Sequence, residues 1–157
     1  MHDFTPGPET ARAFRDALGR FATGVTIVTT MTEEGPVGIT ANSFASVSLD
    51  PPLVLWSPAR ASRRFGVFEG AAAYSIHILA EDQHGLATAF TRDAWPLDAS
   101  EDAVIEGSLA RFDCTQHAVH EGGDHAIIVG RVERAVIAPG APLLFAGGGF
   151  GRFTDLT

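Results

Sequence analysis

Lysine is missing from this chain of 157 residues, so all 11 of its basic side chains are arginines. The absence excludes Schiff-base chemistry on an ε-amine and leaves the forked guanidinium as the chain's means of holding an anion. Cysteine is nearly missing too. The single thiol, Cys114, can build neither an intrachain disulfide nor a thiolate zinc site, a usage that fits the reducing cytoplasm. Positive charge is scarce, 11 arginines against 19 acids for a net charge of -8, and only Arg60, Arg63 and Arg64 cluster locally. That pattern argues against a nucleic-acid binder but leaves room for one or two phosphate groups. No apolar run approaches the length of a bilayer span, and residues 1–8 lack the basic and apolar regions of a secretory signal, so a cytoplasmic protein off the membrane is expected. With 45% hydrophobic and 19% charged residues the composition is globular. The length suits one domain, 1–157, able to bury roughly 70% of its unfolded surface, with 1–8 a flexible lead.

Hydrophobic spacing supplies the architecture. Phe14, Ala17, Leu18 and Phe21 share one helical face, and the helix should stop near Gly24. The β-branched run at 25–30 turns back through 33–36 into 37–40 as an antiparallel hairpin. A short strand at 53–56, a short helix over 61–70, a buried strand at 73–79 and a helix over 81–90 follow. An irregular acidic loop at 93–107 is the expected lid or interface. Two long β runs, 109–119 and 125–137, join across Gly122-Gly123, suited to a positive-φ turn. About seven strands and three helices, without βαβ alternation, predict a mainly β fold with flanking helices, an antiparallel barrel. The G-x-G-x-x-G fingerprint is absent, which excludes a Rossmann unit.

Two segments carry candidate chemistry. In the first, Thr40-Ala41-Asn42-Ser43 forms a polar elbow between apolar runs, where short donors could face a flat polar ligand. A flavin needs donors at N5 and at the N1–C2 edge, an acceptor for N3–H and a cation at phosphate. Thr40, Asn42, Ser43 and Ser48 could supply the first two, and Arg63, helped by Ser62, Arg64 and helix-start N–H groups, the third. The plainer alternative is an elbow whose hydroxyls satisfy its own backbone beside a solvated arginine face. In the second segment, Gly122-Gly123-Asp124-His125 reads on spacing alone as a tight hairpin with a surface acid and imidazole at the strand entrance. Among the other histidines, His77 reads as a hydrogen-bonded interior residue. His117 and His120, three apart in a strand, point to opposite faces and give no metal site. Cys114 reads as a buried small hydrophobe.

Taken in order, residues 20–30, the Thr-Ala-Asn-Ser elbow, Val47-Ser48-Leu49-Asp50-Pro51-Pro52-Leu53-Val54, the Gly-Asp-His turn with Gly130-Arg131-Val132, and Pro142-Leu143-Leu144-Phe145 resemble the short-chain NAD(P)H:flavin reductases of the FMN-binding split-barrel superfamily. The resemblance covers about residues 14–153. It implies a split β-barrel that reduces FMN or FAD with NADH or NADPH and supplies reduced flavin to a partner monooxygenase, in a homodimer with flavin near the interface. A non-catalytic flavin- or haem-binding carrier or sensor is the alternative. The implied flavin positions are Thr40, Ala41, Asn42 and Ser43 in the elbow, Ser46, Val47 and Ser48 after it, and Trp56 and Ser57 on the following strand. Ser62 and Arg63 fall at phosphate, with Arg92 and Phe150 further on. His125 corresponds to the histidine associated with nicotinamide, with Asp124 fixing its tautomer; no metal is implied. Trp56 stands where smaller residues are common, beside the presumed ring, and Phe150 remains the aromatic wall at a glycine-rich ending.

Overall fold

The computed structural model describes residues 1, 3–98 and 101–157. The parts of the expected flexible lead and acidic lid that fall on His2, Ala99 and Ser100 lie outside the described residues. A 3₁₀ turn at Pro8–Thr10 precedes helix α1 (Ala11–Leu18), and strands β1 (Thr23–Gly24), β2 (Thr26–Thr32), β3 (Gly35–Ala41), β4 (Ala45–Leu49) and β5 (Pro52–Trp56) follow. Then come α2 (Phe65–Glu69), β6 (Ala73–Ile78), a second 3₁₀ turn at Glu81–Gln83 and α3 (His84–Arg92). A long hairpin of β7 (Ala110–Gly122) and β8 (His125–Ile137) leads to a short one of β9 (Leu143–Ala146) and β10 (Gly149–Arg152).

All strand pairing is antiparallel. Seven strands form one sheet in the order β3-β2-β6-β7-β8-β5-β4, and β1-β9-β10 form a second. The large sheet curls without closing, because β3 and β4 are both edges joined only by the elbow; the barrel is split. Two expectations change here. The described residues hold ten strands rather than about seven: the short β1 and β10 flank β9 in the small sheet, and the stretch before the proline lock pairs with β5 as β4 and places Ser46, Val47 and Ser48 on an edge. The helix expected over 61–70 begins only at Phe65. The Ser62 hydroxyl accepts the Arg64 N–H at 3.2 Å and its carbonyl the Phe65 N–H at 3.1 Å, so a side-chain turn occupies the would-be first turn.

Helix α1 ends at Leu18, six residues before the expected stop at Gly24, and no residue of it is buried. Helix α3 instead covers the sheet, burying Ala87 and Phe90. Gly38 makes that packing possible: a Cβ there would lie 2.5 Å from the Phe90 ring. One core cluster gathers Val28, Trp56, Phe68, Tyr74, Ile76 and Ile128, and another Val25, Ile27, Leu79, Phe90 and Leu143. Cys114 is buried within the first, with its thiol pushed up to about 12 chiefly by burial, as an inert small hydrophobe should be.

His77 is fully buried in β6. Its Nδ1 lies 3.1 Å from the Ile27 carbonyl and its Nε2 accepts the Ile105 N–H at 3.2 Å, which fixes a neutral ring that donates at Nδ1. Burial, the largest cause, pulls its pKa down to about 4. The unfolded chain therefore holds a proton that the folded chain lacks between about 4 and roughly 6.5. Folding stability should fall by about 1.4 kcal/mol for each pH unit below 6.5 until that lower limit. Urea unfolding at pH 7 and pH 5 should show this slope in the native protein and its loss in His77→Gln.

Candidate functional site

Three segments distant in sequence meet at the end of β5. The loop leaving that strand runs antiparallel to the start of β8, with Ala126 N–H donating to the Pro58 carbonyl at 3.1 Å and Arg60 N–H to the Asp124 carbonyl at 2.9 Å. Arg60 adds a side-chain tie. Its Nε donates to the Gly123 carbonyl at 3.2 Å, its Nη2 pairs with Glu121 at 3.0 Å, and its guanidinium lies over the Phe65 ring. On the opposite flank the Ser43 hydroxyl accepts the Ser57 N–H at 2.8 Å and donates to the Ser57 carbonyl at 3.3 Å. The elbow, the loop and the hairpin turn thus form one unit around a hollow of about 240 Å³.

Eight of the sequence-derived residues line that hollow: Thr40, Ala41, Asn42, Ser43, Trp56, Ser57, Ser62 and His125. Their chemistry differs from the sequence expectation in detail. The Thr40 hydroxyl donates to the Ala87 carbonyl of α3 at 2.6 Å, and the Ala41 carbonyl accepts from Thr26 at 2.7 Å, so both are spent on holding the elbow in place. Asn42 is exposed and its amide makes no hydrogen bond among the described residues; it is the open donor and acceptor of the elbow. Trp56 forms the floor. It is fully buried, edge-on to Phe68 at 5.2 Å and to Tyr74 at 6.2 Å, and presents no free face on which a flavin ring could stack.

The hairpin turn is Gly123-Asp124 rather than the expected Gly122-Gly123, since Gly122 pairs with His125. Gly123 takes φ +71° at the first turn position, where a side chain would be strained. The turn aims Asp124 back at its neighbour: His125 Nδ1 lies 2.7 Å from Asp124 Oδ1. That hydrogen bond, the largest cause, holds the Asp124 carboxyl below the usual carboxylate range. With Nδ1 engaged, Nε2 is the ring nitrogen left for a ligand.

Arg64 does not serve as an anion site. Its guanidinium donates to the carbonyls of Gly38 (2.8 Å), Phe90 (2.6 Å), Thr91 (3.2 Å) and Asp93 (3.3 Å). It thereby closes the carbonyl end of α3 and fastens the loop to β3. Arg63, exposed and without a hydrogen bond among the described residues, is the guanidinium left beside Ser62. Ser46, Val47 and Ser48 on β4, exposed Arg92 at the end of α3 and Phe150 on β10 do not line the hollow; Phe150 packs edge-on to Phe145 at 5.5 Å. Sequence reasoning did not single out the clamping roles of Arg60 and Arg64, whose partners lie 26 to 63 residues away and leave no local signal. No cluster of three or more metal-ligating residues occurs among the described residues, His117 and His120 included.

Comparison with known proteins finds relatives over nearly the whole chain. The family model described as flavin reductase like domain matches residues 18–154. The FMN reductase (NADH) SmoA of Agrobacterium fabrum is 54% identical over 160 residues, covering 98% of this chain and 92% of that protein. The reductase subunit HsaB of a flavin-dependent monooxygenase from Mycobacterium tuberculosis is 38% identical over 150 residues, covering 88% and 80%. Among solved structures, the NADH:FAD oxidoreductase of Streptomyces globisporus C-1027 superposes with a TM-score of 0.89 at 33% identity, covering 100% of this chain and 95% of that one. The same protein in complex with NAD and FAD fragments superposes at 0.86.

The Ser43 hook makes a direct prediction. Ser43→Ala leaves the part-buried Ser57 N–H without its acceptor, which should cost about 1–3 kcal/mol. Chemical denaturation should register that loss, and amide hydrogen exchange should show faster exchange at Ser57.

Proposed function

The chain belongs to the flavin reductase-like domain family, and on that premise we propose that it is an NAD(P)H:flavin oxidoreductase which reduces a loosely held FMN or FAD and releases it to a partner monooxygenase. The observation that carries this reading is the convergence of the elbow and the Gly-Asp-His turn on one hollow. When both are bound, the nicotinamide would supply a hydride from C4 to flavin N5, with a proton from solvent completing the reduction. The chain's own residues bind and orient. Asn42, with the Thr40–Ser43 backbone and Ser57, faces the ring; Ser62 and Arg63 hold phosphate; His125, fixed by Asp124, orients the carboxamide of the nicotinamide through Nε2.

The hollow favours exchange over permanent retention. At about 240 Å³ it is smaller than the roughly 300–1,000 Å³ of sites that enclose a ligand, so much of a flavin would stay outside it. A few charge-assisted bonds of about 1.5–3 kcal/mol each suffice for the roughly -8 kcal/mol of micromolar binding. The carrier or sensor alternative finds no support among relatives named as reductases.

We place the enzyme in the cytoplasm, where nicotinamide nucleotides are reduced; no helix among the described residues is long and apolar enough to cross a membrane. A homodimer is part of the same proposal. Strand β8 runs on past Arg131, where its pairing with β5 stops, and leaves Ile137 88% exposed, while Leu49 on edge strand β4 is 95% exposed. Such an unpaired apolar edge is a template for a second chain. Light scattering should give twice the 16.6 kDa of one chain.

Purified protein mixed with NADH should lose nicotinamide absorbance only when FMN or FAD is added; no flavin-dependent loss would remove the enzyme reading. His125→Ala should lower kcat/KM for NADH about 10–100-fold, the effect of losing orientation at the reacting centre, while flavin affinity changes less than about threefold.

A further inference from the structure

Arg60 does not line the hollow, although its neighbours Ala59 and Ser62 do, as does His125. Resting on the flavin-reductase reading above, we propose that Arg60 is a positioning residue for the hydride-donor side of the site: it fixes the peptide groups on both sides of Asp124, and through them the direction of the His125 ring.

The turn needs a hold from outside. Pairing of β7 with β8 ends at Gly122 and His125, so Gly123 and Asp124 have no ladder partner. Both are exposed, the Asp124 side chain 95% so, and the first buried residue after them is Ala126. Burial and ladder bonds, the usual restraints on local opening, are therefore missing at the tip. Arg60 replaces them. Its N–H donates to the Asp124 carbonyl at 2.9 Å and its Nε to the Gly123 carbonyl at 3.2 Å. Those carbonyls belong to the two planar peptide groups that flank the Asp124 Cα, and with both planes held the Asp124 backbone has little freedom to rotate. That rotation is the one that would swing the His125 side chain. Ala59 and His125 also pair as a single antiparallel bridge, closed by the Arg60 N–H on one side and by the Ala126 N–H to Pro58 on the other. Proline at 58 has no N–H to add, so the Arg60 side chain is the extra tie.

The guanidinium is itself anchored. Nη2 pairs with Glu121 at 3.0 Å, and the group lies 5.4 Å over the ring of Phe65, the residue that opens α2. With side chains 38% and 79% exposed, such an ion pair adds little stability. What it adds is direction. The fork sets one nitrogen on a carboxylate and another on a carbonyl at a fixed angle, an arrangement that the single nitrogen of a lysine does not reproduce. The hydrogen bond of 2.7 Å between Asp124 and His125 Nδ1 joins adjacent residues, so it depends on the backbone angles that Arg60 holds.

Arg60→Ala, Arg60→Lys, His125→Ala and the double variant Arg60→Ala/His125→Ala would be compared by steady-state kinetics, thermal melting and nitrogen NMR of the ligand-free protein. Arg60→Ala should lower kcat/KM for NADH about tenfold, the effect of a misaligned orienting group, while the KM for FMN stays within about twofold. In the His125→Ala background the same change should cost less than about twofold, because the two residues act as one unit. Arg60→Lys should recover the melting temperature but not the rate. In the NMR experiment the neutral His125 ring of the wild type should carry its proton on Nδ1, and Arg60→Ala should mix the two tautomers. A loss in the His125→Ala background as large as in the wild type overturns the proposal. So does a KM for FMN that rises about tenfold, which would make Arg60 a phosphate ligand, or a melting temperature that falls with rates unchanged, which would leave it a structural tie. Full recovery of the rate by lysine would reduce the effect to charge and also counts against it. Should no pairing of nicotinamide and flavin turn over, the reductase reading fails instead, and the His125 tautomer still decides: an unchanged tautomer in Arg60→Ala overturns the positioning role.

Discussion

The loop from Ser57 to Arg64 is the constraint on which the site depends. It has little regular structure, yet it is fixed at four points: to the elbow through Ser43, to the start of β8 through Pro58 and Arg60, to the hairpin turn through the Arg60 side chain, and to α3 and β3 through Arg64. A single such bond contributes about 1 kcal/mol net. Their joint effect is positional, because each joins segments that chain connectivity leaves independent. Release of this loop would let the elbow and the Gly-Asp-His turn drift apart while the rest of the sheet stayed folded.

The same economy explains why so few of the polar side chains at the elbow are free. Thr40 and Ser43 spend their hydroxyls on Ala87 and Ser57, and Thr26 spends its own on the Ala41 carbonyl. These internal bonds hold the backbone so that Asn42 and nearby peptide groups face outward. Preorganisation of this kind matters more than the number of donors, since a reactant misplaced by about 1 Å can cost 10²-fold in rate. Gly38 belongs to the same device: only a glycine lets Phe90 of α3 press on β3 two residues before the elbow.

Much of this was legible in the sequence, and the failures have physical reasons. The β-branched run before the elbow, the apolar strand after the proline lock and the long hairpin were readable because side-chain periodicity is local. Eight lining residues were identified, and the elbow and the Gly-Asp-His turn were marked as the two chemical segments; the interior role of His77 was also visible. The arginine cluster was read too simply. Arg60 and Arg64 are bound to Glu121, Gly123, Gly38 and Phe90, and no spacing rule reveals partners dozens of residues away. Trp56 was placed beside a ring when it is the floor, because burial of an aromatic depends on Phe68 and Tyr74 packing against it. Strand β4 hid within a polar elbow because an edge strand needs no apolar alternation to pair.

The central claim is that one hollow, framed by the elbow, the loop and the Gly-Asp-His turn, holds the flavin. A crystal structure of the FMN complex tests it most directly. The account predicts the ring against residues 40–43 and Ser57, the phosphate at Ser62 and Arg63, and His125 above the exposed ring face with its Nδ1 still on Asp124. A flavin found elsewhere, such as in the cleft of about 930 Å³ walled by Thr30, Ala72 and Arg111, with residues 40–43 untouched, would contradict it.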